Sequence, residues 1–274
     1  MKLTGEDYVA VTGADHDSFH YVLNLIYSIA DNNMYVPVVF HDFGLTEEQR
    51  NQLWDCFEFI QSRRESQNIV LFYYRKVNLK RFNLGMFKAG GIAYKSARAI
   101  LLVDTIQESH SRGFWFDAND EVLPNFKRIV PLLEQYGFIS PRNNQRLKYY
   151  MNPETLAVID PTPTSSVLER YLCTGGLYGF DYDNHTVWNH VALRLRSCAY
   201  YRDCFYPVNS TVYQNRFDES IISYLSQNID IPFACRYYPV TRPFKVNMIY
   251  RDPDTLERLI AEHRSNIERK YPLL

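Results

Sequence analysis

Phe114-Trp115-Phe116-Asp117-Ala118-Asn119-Asp120-Glu121-Val122-Leu123 is the stretch from which the rest of this chain can be read. Consecutive aromatic residues predict a short strand buried in a core. The run stops abruptly at Asp117, Asn119, Asp120 and Glu121. Oxygen-bearing side chains at the carboxyl end of a strand can hold a hard divalent cation against a diphosphate. The same residues also suit an acidic turn, so the flanking pattern has to decide between the two.

Working outward, the N-terminal side alternates strands with helices. Tyr8 to Val11 is a β-rich run leading into the polar loop Thr12-Gly13-Ala14-Asp15. Phe19, Val22, Leu23, Ile26, Ile29 and Ala30 then recur at helical spacing. Val36 to Phe40 has the unbroken apolar character of a parallel strand buried on both faces, with Pro37 tolerable near its start. Thr46 followed by Gln49 is a capping box, and the helix it opens is expected to turn Leu53, Trp54 and Phe57 inward. Ile69 to Tyr74 reads as a third strand. Ala93, Ala97, Ile100, Val103 and Ile106 predict a helix after the Gly90-Gly91 break. Such alternation belongs to the α/β class, with right-handed crossovers and ligands at the carboxyl ends of the strands.

On the C-terminal side, Pro141 to Pro163 is polar and proline-punctuated, and Tyr171 to Phe180 is apolar with glycines. Phe217 to Leu225 predicts a helix, and Pro253 to Lys270 an amphipathic one with a charged outer face.

Composition narrows the function. The 274 residues carry 30 Lys+Arg against 31 Asp+Glu, a net charge of −1. Near neutrality argues against a nucleic-acid partner, since a phosphate backbone calls for an excess of basic side chains. With 46% hydrophobic and 15% aromatic residues the chain has material for a large core, which excludes disorder. The length suits one α/β domain, or one domain with an appendage. The 5 cysteines are odd in number, irregularly spaced and free of any C-x-x-C pair, which predicts reduced thiols. The apolar runs are too short for a transmembrane segment and Met1 to Asp7 is polar, so a cytoplasmic protein, or the soluble part of something longer, is expected. Asn184-His185-Thr186 and Asn209-Ser210-Thr211 are glycosylation sequons, which matter only in a secreted chain.

In this setting the chain resembles the nucleotide-sugar-dependent glycosyltransferases of the GT-A fold. Asp117-Ala118-Asn119 stands at the place of that family's Asp-x-Asp motif, with Asn replacing the second acid. Tyr8 to Asp15 resembles the segment that receives base and ribose. Ala93-Tyr94-Lys95 resembles the helix bearing a basic residue that faces the diphosphate. Cys173 to Phe180 resembles the glycine-bearing strand beside the donor sugar, and Arg216-Phe217-Asp218-Glu219-Ser220 the acidic pair opening a late helix. The resemblance implies a single GT-A-like domain over residues 1–274, a Rossmann-like mixed sheet flanked by helices. Residues 1–123 form its nucleotide-binding half and 124–274 its acceptor-side half.

It further implies transfer of a sugar from a nucleoside diphosphate sugar to a glycan or small-molecule hydroxyl acceptor, with Mn²⁺ or Mg²⁺ as cofactor. Asp117, Asn119 and Asp120 would hold the cation. Thr12, Gly13, Ala14, Asp15, Lys95, Gly175 and Gly176 would hold the donor. Asp218, favoured over Glu219, would serve the reacting centre. Two rivals stay open: a carbohydrate-binding or scaffold protein without catalysis, suggested by Asn119, and a sugar nucleotidyltransferase, disfavoured by the single glycine in Thr12-Gly13-Ala14-Asp15. His16 and His20 lack a third zinc ligand. His263 reads as an exposed helix residue, and Cys173 as a small core residue.

Overall fold

A computed structural model describes residues 8–32, 35–63, 72–82, 92–208, 217–232, 234–235, 244–245 and 253–272. The chain opens with β1 (Val9–Ala14), α1 (Phe19–Asn32), β2 (Val38–Asp42), α2 (Glu47–Ser62) and β3 (Phe72–Lys76). Next come α3 (Ile92–Ser109), β4 (Arg112–Phe116), β5 (Glu121–Val122), α4 (Val130–Tyr136), β6 (Phe138–Ile139), β7 (Arg142–Arg146), α5 (Pro153–Ile159) and α6 (Ser165–Leu168). Then follow β8 (Tyr171–Cys173), β9 (Leu177–Asp181), α7 (His185–Val187), α8 (Leu193–Tyr200), α9 (Arg202–Phe205), α10 (Asp218–Asn228), β10 (Phe244–Lys245) and α11 (Pro253–Lys270). The strand order of the main sheet is β3-β2-β1-β4-β9-β6. The β1–β2 and β2–β3 pairs are parallel, and β6 runs antiparallel to β9, so the fold is mixed α/β as the sequence predicts.

Two compact units interleave along the chain. One consists of Leu3–Val77, Trp115–Val130 and Pro239–Leu274, the other of Asn78–Phe114 and Pro131–Tyr238.

In the first unit every residue of β1 and β2 is buried, which explains their unbroken apolar character. The registers Thr12↔Phe40, Gly13↔His41 and Ala14↔Asp42 carry β1 three residues past Val11, so Thr12, Gly13 and Ala14 belong to the strand rather than to a loop. A Cβ on Gly13 would collide with the Phe43 ring and the His41 carbonyl, so only glycine lets these backbones approach so closely. Helix α2 begins at the expected capping box: the Thr46 hydroxyl accepts the Gln49 N–H at 3.2 Å, and the Gln49 carboxamide accepts the Thr46 N–H at 3.1 Å. Leu53 and Phe57 are buried as expected, but Trp54 is 44% exposed. One position along a helix turns a side chain by about 100°, and Trp54 lands on the rim, its ring against Tyr74 and Phe57. The third strand runs to Lys76, two residues past the expected end at Tyr74; residues 69–71 are outside the described residues.

The second unit holds α3, whose Ala97, Ile100, Val103 and Ile106 are buried as their spacing predicts. It also corrects the expectation of reduced thiols. Cys173 is bonded to Cys235 and Cys198 to Cys204, leaving Cys56 alone as a free, buried thiol. Sequence spacing does not reveal a pairing across 62 residues. Cys173 is thus a crosslink rather than a small core residue. Among the described residues, no helix is long and apolar enough to cross a membrane.

Candidate functional site

The acidic turn after β4 is fastened by its own residues. The Asp120 carboxylate accepts the Asp117 N–H at 3.0 Å, and the Asp117 carbonyl accepts the Asp120 N–H at 2.9 Å. Asp120 is buried, so one of its oxygens shapes the turn. Asp117 and Asn119 are half-buried, and Asp117 also accepts the Trp115 indole N–H at 2.8 Å. A strand-end carboxylate beside an amide oxygen suits Mg²⁺ or Mn²⁺, which take few protein ligands and complete their shell with phosphate and water. Among the described residues no group of three His, Cys, Asp or Glu side chains could hold a metal alone, His16 and His20 included.

Helix α1 steadies the backbone just past this turn. Ser28 Oγ accepts the Val122 N–H at 2.9 Å, and the Asn32 amide donates to the Val122 carbonyl at 3.0 Å. Thr12, Gly13 and Ala14 are buried at the end of β1, and Asp15 accepts both the N–H and the hydroxyl of Ser18 ahead of α1. Of the expected base-and-ribose residues, only Asp15 is partly open to solvent.

His263 corrects its sequence reading. It is 8% exposed, with Nδ1 2.9 Å from Asp31 of α1 and Nε2 4.0 Å from Glu121 of β5. Burial pushes the Asp31 carboxyl up, but hydrogen bonds from His263, Lys270 and Asn266 outweigh it and hold the group at about 2. Helix α11 thereby locks onto α1 and onto the residue that follows the acidic turn.

In the second unit the expected catalytic pair separates into two environments. Asp218 is fully buried and takes both arms of Arg98: Nε donates to Oδ2, and Nη2 to Oδ1 at 2.8 Å. It is the first residue of α10 rather than its cap; Phe217 holds the cap position without a side-chain hydrogen bond. A fork-on-carboxylate pair fixes direction as well as distance, so it sets the head of α10 against α3. Glu219, 9% exposed, lies beside Gly175: a Cβ on Gly175 would strike the Arg98 guanidinium and the Glu219 side chain. The glycine therefore lets backbone, cation and carboxylate share one spot. Gly176 donates its N–H to Thr174 Oγ1 at 3.4 Å. Lys95 sits one turn before Arg98 with its ammonium 5.1 Å from the centre of the Phe217 ring. Lys95, Arg98, Gly175 and Glu219 thus gather around the head of α10. The sequence already offers Arg98, nearly one turn after Lys95, as a companion cation; its pairing with Asp218 is what the spacing does not reveal.

A separate cavity of about 320 Å³ in the same unit is lined by Val158, Ile159, Arg194, Tyr201 and the Cys198–Cys204 disulfide, and contains none of the expected site residues.

No protein-family model and no curated protein matches the chain. Solved structures do. Core-mannan synthase A from Aspergillus fumigatus, in its Mn/GDP form, is similar at a TM-score of 0.50 and 9% identity, covering 99% of this chain and 86% of that one. The bifunctional glycosyltransferase WbbM is similar at 0.49 and 11%, covering 100% of this chain and 46% of that one. An active-site mutant of LgtC is similar at 0.48 and 15%, covering 83% and 71%. The likeness to core-mannan synthase A is one of fold, and the fold is that of GT-A glycosyltransferases.

Proposed function

We propose that the chain transfers a sugar from a nucleoside diphosphate sugar to a hydroxyl acceptor. The observation that carries the reading is the Arg98–Asp218 pair, which sets Glu219 against the backbone of Gly175. Breaking the bond between sugar and diphosphate builds negative charge on the leaving group and positive charge on the ring. Asp117 and Asn119 would hold a divalent cation, which when bound offsets charge on the diphosphate. Lys95 would offer its ammonium to a phosphate of the donor. Gly175 and Gly176 would let the backbone lie close to the donor sugar. Glu219, rather than Asp218, would stabilise charge on the ring or accept the acceptor's proton, because Asp218 is spent on Arg98. Asp15, the one of Thr12 to Asp15 that is partly open to solvent, would meet the nucleoside at the end of β1, where an open α/β sheet offers its crevice.

A cytoplasmic placement does not carry over into this proposal. Two disulfides favour an oxidising compartment, since cytosolic thiols are kept reduced.

Incubation with a panel of UDP- and GDP-sugars and hydroxyl acceptors tests the reading. Free nucleoside diphosphate is expected, with release reduced by chelator and by Asp117→Asn, which keeps an oxygen for the Trp115 indole. Binding of nucleotide sugar without release would mark a carbohydrate-binding protein, which the neutral Asn119 favours. Pyrophosphate formed from a nucleoside triphosphate and a sugar phosphate would mark a nucleotidyltransferase.

A further inference from the structure

The face of α10 that carries Glu219 is stitched to the strand leading into Gly175. Cys173 ends β8, and its N–H donates to Ser223 Oγ at 2.7 Å. The Ser223 hydroxyl in turn donates to the Glu219 carbonyl, one turn back along α10. Thr174 follows, its N–H on the Pro141 carbonyl at 2.8 Å and its carbonyl accepting from Ser140 Oγ at 3.0 Å. Gly175 comes next, with no room for a Cβ. Past α10 the backbone turns through Ile231 N–H to Ser226 carbonyl at 3.2 Å and Ala234 N–H to Ile231 carbonyl at 3.1 Å, and Cys235 closes the covalent bond to Cys173. The head of α10 is held by Arg98 and its tail by the disulfide, with Ser223 between them.

We propose that the Cys173–Cys235 disulfide is a positioning link: it keeps 174–176 in register with the first turn of α10, so that Glu219 stays against Gly175, and full activity requires the bond to be oxidised. The activity part rests on the glycosyl-transfer reading above; the positioning part does not. A dithiol reverses the link by two exchanges: one thiolate attacks a sulfur to give a mixed disulfide, and the second displaces the protein thiol. Two cysteine thiols and one oxidised dithiol result. The Cys198–Cys204 bond joins α8 to α9 and shares no residue with this network, so it serves as the internal control.

The experiment compares wild type, Cys173→Ser/Cys235→Ser and Cys198→Ser/Cys204→Ser well below their Tm values. Backbone amide exchange is measured over residues 171–176 and 218–224, and nucleoside diphosphate release with the UDP- and GDP-sugar panel. Loss of the Cys173 link is expected to speed exchange in both segments about tenfold and to lower kcat about a hundredfold at nearly unchanged donor KM. The control variant is expected to match wild type in both segments. Wild-type exchange in the Cys173→Ser/Cys235→Ser protein would overturn the proposal, as would an equal effect in the control. If wild type releases no nucleoside diphosphate from any donor, the glycosyl-transfer reading fails and the exchange data still decide the positioning claim. Should Cys173→Ser/Cys235→Ser not fold, dithiothreitol treatment of folded Cys198→Ser/Cys204→Ser protein, its thiols counted by alkylation, gives the same comparison.

Discussion

Replacing Asp218 with Asn leaves the buried Arg98 guanidinium without its carboxylate, and breaking a buried pair from one side costs about 3 kcal/mol or more. Asp218→Asn is therefore expected to lower Tm by roughly 6–12 °C in a unit of this size. Glu219→Gln keeps shape and loses charge; it is expected to hold Tm within about 2 °C and to lower transfer about a hundredfold. Thermal melts beside a turnover assay separate the two, and the reverse pattern would return the chemical role to Asp218. The acidic pair itself was legible in the sequence, but its division of labour was not. Arg98 lies 120 residues away, and adjacent helix positions face different surroundings. His263 is a similar case. A lone histidine among charged residues reads as surface, and its partner Asp31 is 232 residues distant.

At the scale of elements, β2 carries a titration that the whole strand register enforces. His41 is fully enclosed, its Nε2 has no hydrogen-bond partner among the described residues, and burial, aided by Arg75, pushes its imidazole down to about 3. An unfolded histidine titrates near 6.5. Above that pH neither state binds the proton, so the stability contribution is fully present. Below it the unfolded chain takes up a proton that the folded chain refuses, and stability falls by about 1.4 kcal/mol per pH unit until pH falls through the folded value. Denaturant unfolding of wild type and His41→Gln at pH 7.5 and 5.0 should show wild type losing about 2 kcal/mol more than the variant between the two. An unchanged gap between the proteins would mean that His41 takes up the proton in the fold. Elements whose signal is local were legible: the Thr46–Gln49 box starts α2, and the three-and-four spacing from Ala93 to Ile106 lies within α3. Strand limits were not, because Thr12 to Ala14 join β1 through pairing with β2, a non-local interaction that polar and glycine residues do not announce.

For the whole chain the crosslinks separate local from global stabilisation. A disulfide acts mainly on the unfolded ensemble, and more so the longer the loop it closes. The Cys173–Cys235 bond spans 62 residues and Cys198–Cys204 spans 6, which loop entropy converts to roughly 4 and 2 kcal/mol. The pairs share no residue and their losses should add, so removing both is expected to cost about 6 kcal/mol, a large share of a typical folding free energy. Chain made under reducing conditions should then be recovered mostly unfolded or aggregated, and chain made under oxidising conditions folded. Alkylation in denaturant without reductant should label one thiol in the oxidised protein, Cys56, and all 5 after reduction. Finding 5 reactive thiols in folded, active protein would remove the argument for an oxidising compartment together with both crosslinks. Finding 1 thiol, with the pair at 62 residues contributing more stability than the pair at 6, would show that the longer bond limits the unfolded chain, as loop length requires.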